Sequence, residues 1–269
     1  MDPTDPDWAT LEFVGTATTL LRLGPFTLLT DPNFLHRGQR AYLGKGLWST
    51  RLTEPSLQPA DLPPLDAVLL SHLHGDHFDR VARRELDRTP PVLTTEEAAD
   101  RLRTWGFARA QGLQTWESTR LERDGWTLDV TAVPGVHGPG PVKKVLPPVM
   151  GSVLELRHGP QLVHRTYITG DTLRRGWLRD VVDRTGVIDA AVVHLGGTRI
   201  LGILVTMDGE QGADLLQLLE PRIAIPVHTD DYGVFRSPLE DFLAAVRRRD
   251  LRTEVRTVAR GQTISLDPD

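Results

Sequence analysis

Residues 72–77 read His72-Leu-His-Gly-Asp-His77, four metal-capable side chains within six positions, and they follow the compact apolar run Asp66-Ala-Val-Leu-Leu-Ser71 directly. A run of that length and composition reads as a buried strand. On leaving an extended strand, residues two apart face the same way, so His72 and His74 can share one ion. A turn at Gly75 can then aim Asp76 and His77 at a second. The 269 residues include no cysteine. Any metal is therefore held by imidazole and carboxylate, and disulfides, thiolate sites and cysteine nucleophiles are excluded.

The chain is long enough to bury a substantial core, and with 25% charged residues it has an ordinary globular composition. No apolar run reaches the roughly 18 residues of a membrane span, and the first residues carry neither a basic nor an apolar leader pattern, so the expectation is a soluble, cytoplasmic protein. A formal net charge of −5 gives no long-range attraction for nucleic acid, and no nucleic-acid partner is expected.

Three short β-prone runs at 11–14, 18–23 and 26–30 form a meander, broken at Gly15 and at Gly24-Pro25. A long surface excursion follows over 33–64, of the kind that is usually functional or mobile. Helical spacing appears at 78–86. A second helix spans 95–105, opened by the N-cap Thr95 with acids in its first turn and closed by Gly106. Strands are predicted at 91–93, 119–123, 127–133, 152–157 and 162–169, with a Gly/Pro-dense loop over 134–150. Beyond Gly170-Asp171, helices at 173–184, 209–219 and 238–249 alternate with strands at 189–194, 222–227 and 253–258. The sequence shows no repeat and no low-complexity linker, so residues 1–269 read as one mixed α/β domain with two facing sheets and helices outside.

With these elements in order, the chain resembles the metallo-β-lactamase fold superfamily over nearly its whole length. The resemblance rests on Asp31 in Leu29-Thr-Asp-Pro32, the hexad at 72–77, His137 in Val136-His-Gly138, Asp171 in Thr169-Gly-Asp-Thr172 and His228 in Ile225-Pro-Val-His228. It implies a four-layer αββα sandwich of two mixed sheets and a dinuclear site. In that arrangement His72, His74 and His137 hold one ion, Asp76, His77 and His228 the other, and Asp171 bridges them. Asp76 and Asp171 are then the carboxylates of the catalytic centre, with Asp76 a ligand rather than a free general base. Asp31 resembles the carboxylate that orients ligands without binding metal.

Two divalent ions contribute +4, Asp76 and Asp171 remove 2 and a bridging hydroxide another, leaving a site of about +1. Such a centre lowers the pKa of bound water to about 7 and supplies a nucleophile without serine or cysteine. Zinc is the default ion for imidazole and carboxylate; the absence of sulfur also suits manganese or iron. Among superfamily branches, the Asp31-Pro32 turn, the Leu62-Pro-Pro-Leu-Asp66 lead and the Pro226-Val-His228 ending resemble the ascorbate-6-phosphate lactonases and the N-acyl-phosphatidylethanolamine phospholipase D-like hydrolases. The missing cysteine ligand argues against β-lactam hydrolysis.

For substrate contacts the candidates are Arg51 in the first excursion, Lys143 in the loop after His137, His194 at the end of its strand and Tyr232 just beyond His228. Solvated loop charges, a structural histidine and a polar turn are the ordinary alternatives at these positions. The leading reading is a metal-dependent hydrolase that cleaves a phosphodiester or related ester in an anionic small molecule or lipid head group. A lactonase uses the same chemistry on a carbonyl centre. A non-catalytic metal-binding module is the alternative of another class.

Overall fold

A computed structural model describes residues 8–140, 142 and 145–268. Strands and helices below are numbered in chain order. One sheet holds β1 (Ala9–Gly15), β2 (Thr18–Leu23), β3 (Phe26–Thr30), β6 (Ala67–Leu69), β7 (Val92–Thr94), β8 (Ala110–Gly112) and β18 (Thr263–Ser265), in the order β18-β1-β2-β3-β6-β7-β8. The other holds β9 (Ser118–Arg123), β10 (Trp126–Pro134), β11 (Met150–His158), β12 (Gln161–Ile168), β13 (Ala190–His194), β16 (Ile223–Val227) and β17 (Glu254–Val255), in the order β17-β16-β13-β12-β11-β10-β9.

The sequence shows no repeat, yet the two sheets share one plan. In each, an antiparallel meander passes into parallel strands: β3 pairs with β6 in one and β12 with β13 in the other. Ligands of open α/β sheets gather beyond the carboxyl ends of the strands, where strand order switches. Asp31 and the hexad lie just past β3 and β6, while Asp171 and His228 lie just past β12 and β16.

Why the layers form is visible in the burial pattern. Leu11, Leu28, Val130, Leu154 and Ile225, from both sheets, meet in one buried cluster that glues the sheets face to face. A second cluster packs the outer face of the first sheet against α1 (Arg80–Glu85) and α2 (Glu96–Thr104), through Val68, Val81, Ala98 and Leu102. A third packs the other sheet against α3 (Arg179–Thr185), α4 (Gly209–Leu219) and α5 (Leu239–Arg249), through Val193, Leu216 and Phe242. The expected four-layer αββα sandwich of two mixed sheets is the observed fold. Each fully buried aliphatic side chain contributes about 1.5–3 kcal/mol by leaving water.

The long excursion is more ordered than its composition implies, because it contains the hairpin β4 (Arg40–Tyr42) and β5 (Trp48–Thr50). A second unpredicted hairpin, β14 (Arg199–Ile200) with β15 (Ile203–Leu204), precedes α4. The helix expected over 173–184 begins later, as a 3₁₀ turn at Gly176–Leu178 that runs into α3. The chain before it is held in a loop by Leu173 N–H donating to the Val136 carbonyl at 2.9 Å. No helix among the described residues is long and apolar enough to cross a membrane.

His164 on β12 is buried edge-on to Trp8, 5.4 Å between ring centroids, and its Nε2 has no hydrogen-bond partner. Burial pushes its pKa down to about 4, against the smaller upward pull of Asp189 and Asp267 and with Arg222 adding to the fall. The folded protein therefore holds the ring neutral where the unfolded chain protonates it near 6.5, so this stabilisation is present above pH 6.5 and is lost as pH falls toward 4. We expect His164→Leu to flatten the acid limb of the stability profile by roughly 2–3 kcal/mol. Urea denaturation at pH 4, 5 and 7 checks it, and parallel profiles for the two proteins would contradict it.

Candidate metal centre

The strand β6 ends at Leu69, and Ser71 opens the hexad with two hydrogen bonds to Asp31: its N–H to Oδ1 at 2.7 Å and its hydroxyl to Oδ2 at 3.0 Å. After the hexad, Asp79 caps α1 by accepting from the N–H groups of Val81 and Ala82, both at 2.8 Å. Its other oxygen accepts from the N–H groups of Phe34 and Leu35. One N-cap carboxylate thus ties the helix start to the chain just past Asp31. Gly75 is required by close approach: a Cβ there would lie 2.6 Å from the Tyr42 carbonyl oxygen, because β4 is laid across the hexad.

Asp31 and His228 both adopt left-handed backbone, φ 36° and 64°, which a residue with a side chain holds only when its surroundings over-determine it. His228 is pinned by its N–H donating to the Thr16 carbonyl at 2.7 Å. Before Asp171, Gly170 sits at φ 61° where a Cβ would meet the Met150 carbonyl oxygen at 2.7 Å, so glycine alone fits the turn.

The imidazoles are aimed by what their Nδ1 atoms bind. His137 and His228 donate Nδ1–H to the carbonyls of Val205 and Leu195, both at 2.9 Å. His72 Nδ1 meets the Ser71 hydroxyl at 3.0 Å, and His77 Nδ1 meets Asp31 Oδ2 at 3.1 Å. Fixing Nδ1 leaves Nε2 as the free ring nitrogen. His74 instead presents Nδ1, 3.0 Å from His72 Nε2.

The ligand atoms of His72, His74 and His137 lie within 4.8 Å of one another, as do those of Asp76, His77 and His228. Asp171 falls within the same distance of His72 from one group and His77 from the other. Its Oδ2 is 3.4 Å from His77 Nε2 and accepts from the Thr206 hydroxyl at 3.0 Å. The structure thus brings the seven candidate ligands to one place, and Asp31 and His194 form a further such group with His77.

The chemistry of this donor set fits divalent cations. Asp76 Oδ1, His77 Nε2, Asp171 Oδ1 and His228 Nε2 are all buried without a hydrogen-bond partner. Each such atom costs about 1–3 kcal/mol unless something neutralises it. Burial, reinforced by neighbouring imidazoles, holds His72 well below its ordinary pKa; burial likewise pulls His74 down to about 3 and lowers His137, which favours the neutral ring that a cation needs. Burial also opposes charge on His77 and His228, but Asp171 and its fellow carboxylates outweigh it and raise both. Those two sites hold protons that a cation would replace.

Asp31 lies behind the ligands. Burial acts to raise its pKa, but His77 and His194 bring it down to about 2. The structure places the candidate contacts His194, Arg51 and Tyr232 inside the fold. His194 is fully buried, with Nε2 3.2 Å from Asp31 Oδ2 and Nδ1 3.3 Å from the Thr169 hydroxyl, so both nitrogens are spent inside the fold. Arg51 and Tyr232 are also interior. The Arg51 guanidinium hydrogen-bonds Asn33 and pairs with Asp231 at 3.3 Å, and the Tyr232 hydroxyl donates to Asn33 at 3.0 Å. Asn33 in turn donates to the Gly75 carbonyl, so this network supports the hexad from behind instead of meeting solvent. Lys143 lies outside the described residues. Ser71, Thr206 and the carbonyls of Val205 and Leu195 are the parts of the site that the sequence reading missed. Ser71 was marked by its place next to the hexad, whereas nothing local marks the others.

This fold and this cluster define a metallo-hydrolase of the β-lactamase superfamily, and residues 27–229 match the Beta-lactamase superfamily domain. A UPF0173 metal-dependent hydrolase of Deinococcus radiodurans is 31% identical over 94% of this chain and 97% of its own length. The chain belongs to that family of UPF0173 metal-dependent hydrolases. Two solved structures share the fold at 20% identity, each covering 96% of this chain and 99% of the other: a possible metal-dependent hydrolase from Veillonella parvula DSM 2008, TM-score 0.80, and an isothiocyanate hydrolase from Delia radicum gut bacteria, TM-score 0.78.

Asp31→Asn removes the charge that His77 and His194 share while leaving the shape. It should weaken metal retention about 10–100-fold, read by competition with a chromophoric chelator. Unchanged retention would show that Asp31 does not orient the ligands.

Proposed function

We propose that this protein is a dinuclear hydrolase that cleaves a phosphodiester or related ester in an anionic small molecule or lipid head group. The observation that carries the reading is the pair of three-residue ligand groups with Asp171 within reach of both. His72, His74 and His137 would hold one ion, Asp76, His77 and His228 the second, and Asp171 would be shared. Zinc suits this donor set, and manganese or iron would also be accepted. Bound there, the ions would supply an activated water at neutral pH and a positive centre for the oxygen that gains charge.

The chain's own part is preorganisation. The Val205 and Leu195 carbonyls fix the His137 and His228 tautomers. Thr206 holds one oxygen of Asp171, which leaves the other free. The buried walls keep competing water from the carboxylates, which strengthens every charge interaction within. Neither Asp76 nor Asp171 is placed as a free proton acceptor, since both are lowered in pKa: burial acts to raise them, but the surrounding imidazoles prevail. The likeness of the 31–32, 62–66 and 226–228 segments to phosphate- and lactone-handling branches supports an anionic substrate.

Metal-replete protein should cleave bis-(p-nitrophenyl) phosphate in preference to a panel of sugar and acyl lactones. Asp171→Asn should lower the rate by about 100-fold or more, beyond the effect of an orienting residue. Steady-state kinetics on both substrate classes decides it. A preference for lactones by orders of magnitude would replace the phosphodiester reading with a lactonase, and no turnover of either by metal-loaded protein would sink the catalytic one.

A further inference from the structure

Next to the metal cluster, on the outer side of His74, lies a groove of about 420 Å³ between the β4–β5 hairpin and helices α1 and α2. His74 turns Nδ1 toward His72, while its Nε2 edge faces the hairpin tip, 3.6 Å from where a Cβ on Gly44 would stand. The groove is walled by Tyr42, Trp48 and Trp105 and carries four arginines, Arg40, Arg80, Arg83 and Arg101. Tyr42 and Trp48 are 46% and 50% exposed although large and apolar.

The charge of this groove is unbalanced. Among the described residues none of those four arginines forms an ion pair with a carboxylate, whereas Arg103, on the same helix as Arg101, pairs with Asp100 at 2.6 Å. Asp79, the acid that also borders the groove, is consumed by the N–H groups it caps. On a chain of net charge −5, such a local excess of cations has no structural partner. Three of the guanidiniums lie over rings: Arg83 and Arg101 are 4.3 and 5.4 Å from the Trp105 centroid, and Arg40 is 5.6 Å from that of Trp48, while Arg80 donates to the Arg40 carbonyl at 3.0 Å. A guanidinium over a ring is attracted to the ring face without a carboxylate, and among the described residues those of Arg40, Arg83 and Arg101 donate to no acceptor of the fold, which leaves their N–H groups for an oxyanion.

We infer that this groove is the recognition subsite for an organic anion in which an oxyanion is borne on a flat ring: Trp48 and Tyr42 take the ring, and Arg83 and Arg101 take the charge. Its volume is in the range of small-molecule sites. The inference rests on the hydrolase reading, which it sharpens by naming what the substrate carries beside the scissile bond.

The test uses the whole protein and 1-naphthalenesulfonate, whose sulfonate is a poor metal ligand, with binding measured by calorimetry at low salt. The sulfonate should bind at least tenfold more tightly than 1-naphthol or inorganic sulfate. Arg83→Gln with Arg101→Gln, both on exposed helix positions, should weaken it at least tenfold, and so should added salt; Trp48→Ala should weaken it as well. A chelator should leave the affinity unchanged. Equal affinity in the double variant, no binding by the folded wild type, or loss of binding with the chelator would each overturn the subsite. Because this readout needs no turnover, a protein that binds the probe yet hydrolyses nothing contradicts the hydrolase reading alone. Ester turnover with KM indifferent to the arginine substitutions contradicts the groove alone.

Discussion

Imidazoles and carboxylates gathered at the dry edge of a sandwich are unfavourable unless each atom has a partner, and this requirement governs the site's construction. One side of most of these groups is satisfied by the fold. Val205 and Leu195 carbonyls, the Ser71 hydroxyl and Asp31 take the Nδ1 atoms of His137, His228, His72 and His77. The other side is left bare: Asp76, His77, Asp171 and His228 each keep a buried polar atom without a partner. His77, Asp171 and His228 are each tied down on one side and bare on the other, an arrangement suited to cations.

Asp31 joins the two sheets at this point. It receives Ser71 and His77 from the first sheet and His194 from the second, where β13 ends. Its left-handed backbone and that of His228 place strain at two of the positions that converge on the cluster, while most of the fold is built from unstrained strands and capped helices. The shared plan of the sheets explains the convergence. Each contributes side chains from just past the carboxyl ends of its parallel strands, and face-to-face packing brings those ends to one edge.

The candidate ligands are legible because they sit in local motifs: a hexad after an apolar strand, a glycine before Asp171, a strand before His228. Periodicity likewise revealed the long strands and the helices α2, α4 and α5. What failed shares a different cause. The hairpin β4–β5 has three-residue strands with exposed ends, so alternation never accumulates into a signal. Arg51, His194 and Tyr232 stand near motifs, where charge or ring chemistry suggests a substrate contact as readily as a structural role; their burial depends on partners such as Asn33 and Asp31, far away in sequence. The arginines of the groove come from β4, α1 and α2, and only the fold shows that they face one space whose bordering acid, Asp79, is spent on the N–H groups it caps.

Diffraction from crystals of the metal-replete protein, with anomalous data collected on both sides of the zinc, iron and manganese edges, measures the central claim directly. The account predicts two peaks, one among His72, His74 and His137 and one among Asp76, His77 and His228, with Asp171 touching both. A single peak, or none within bonding distance of these side chains, would contradict it.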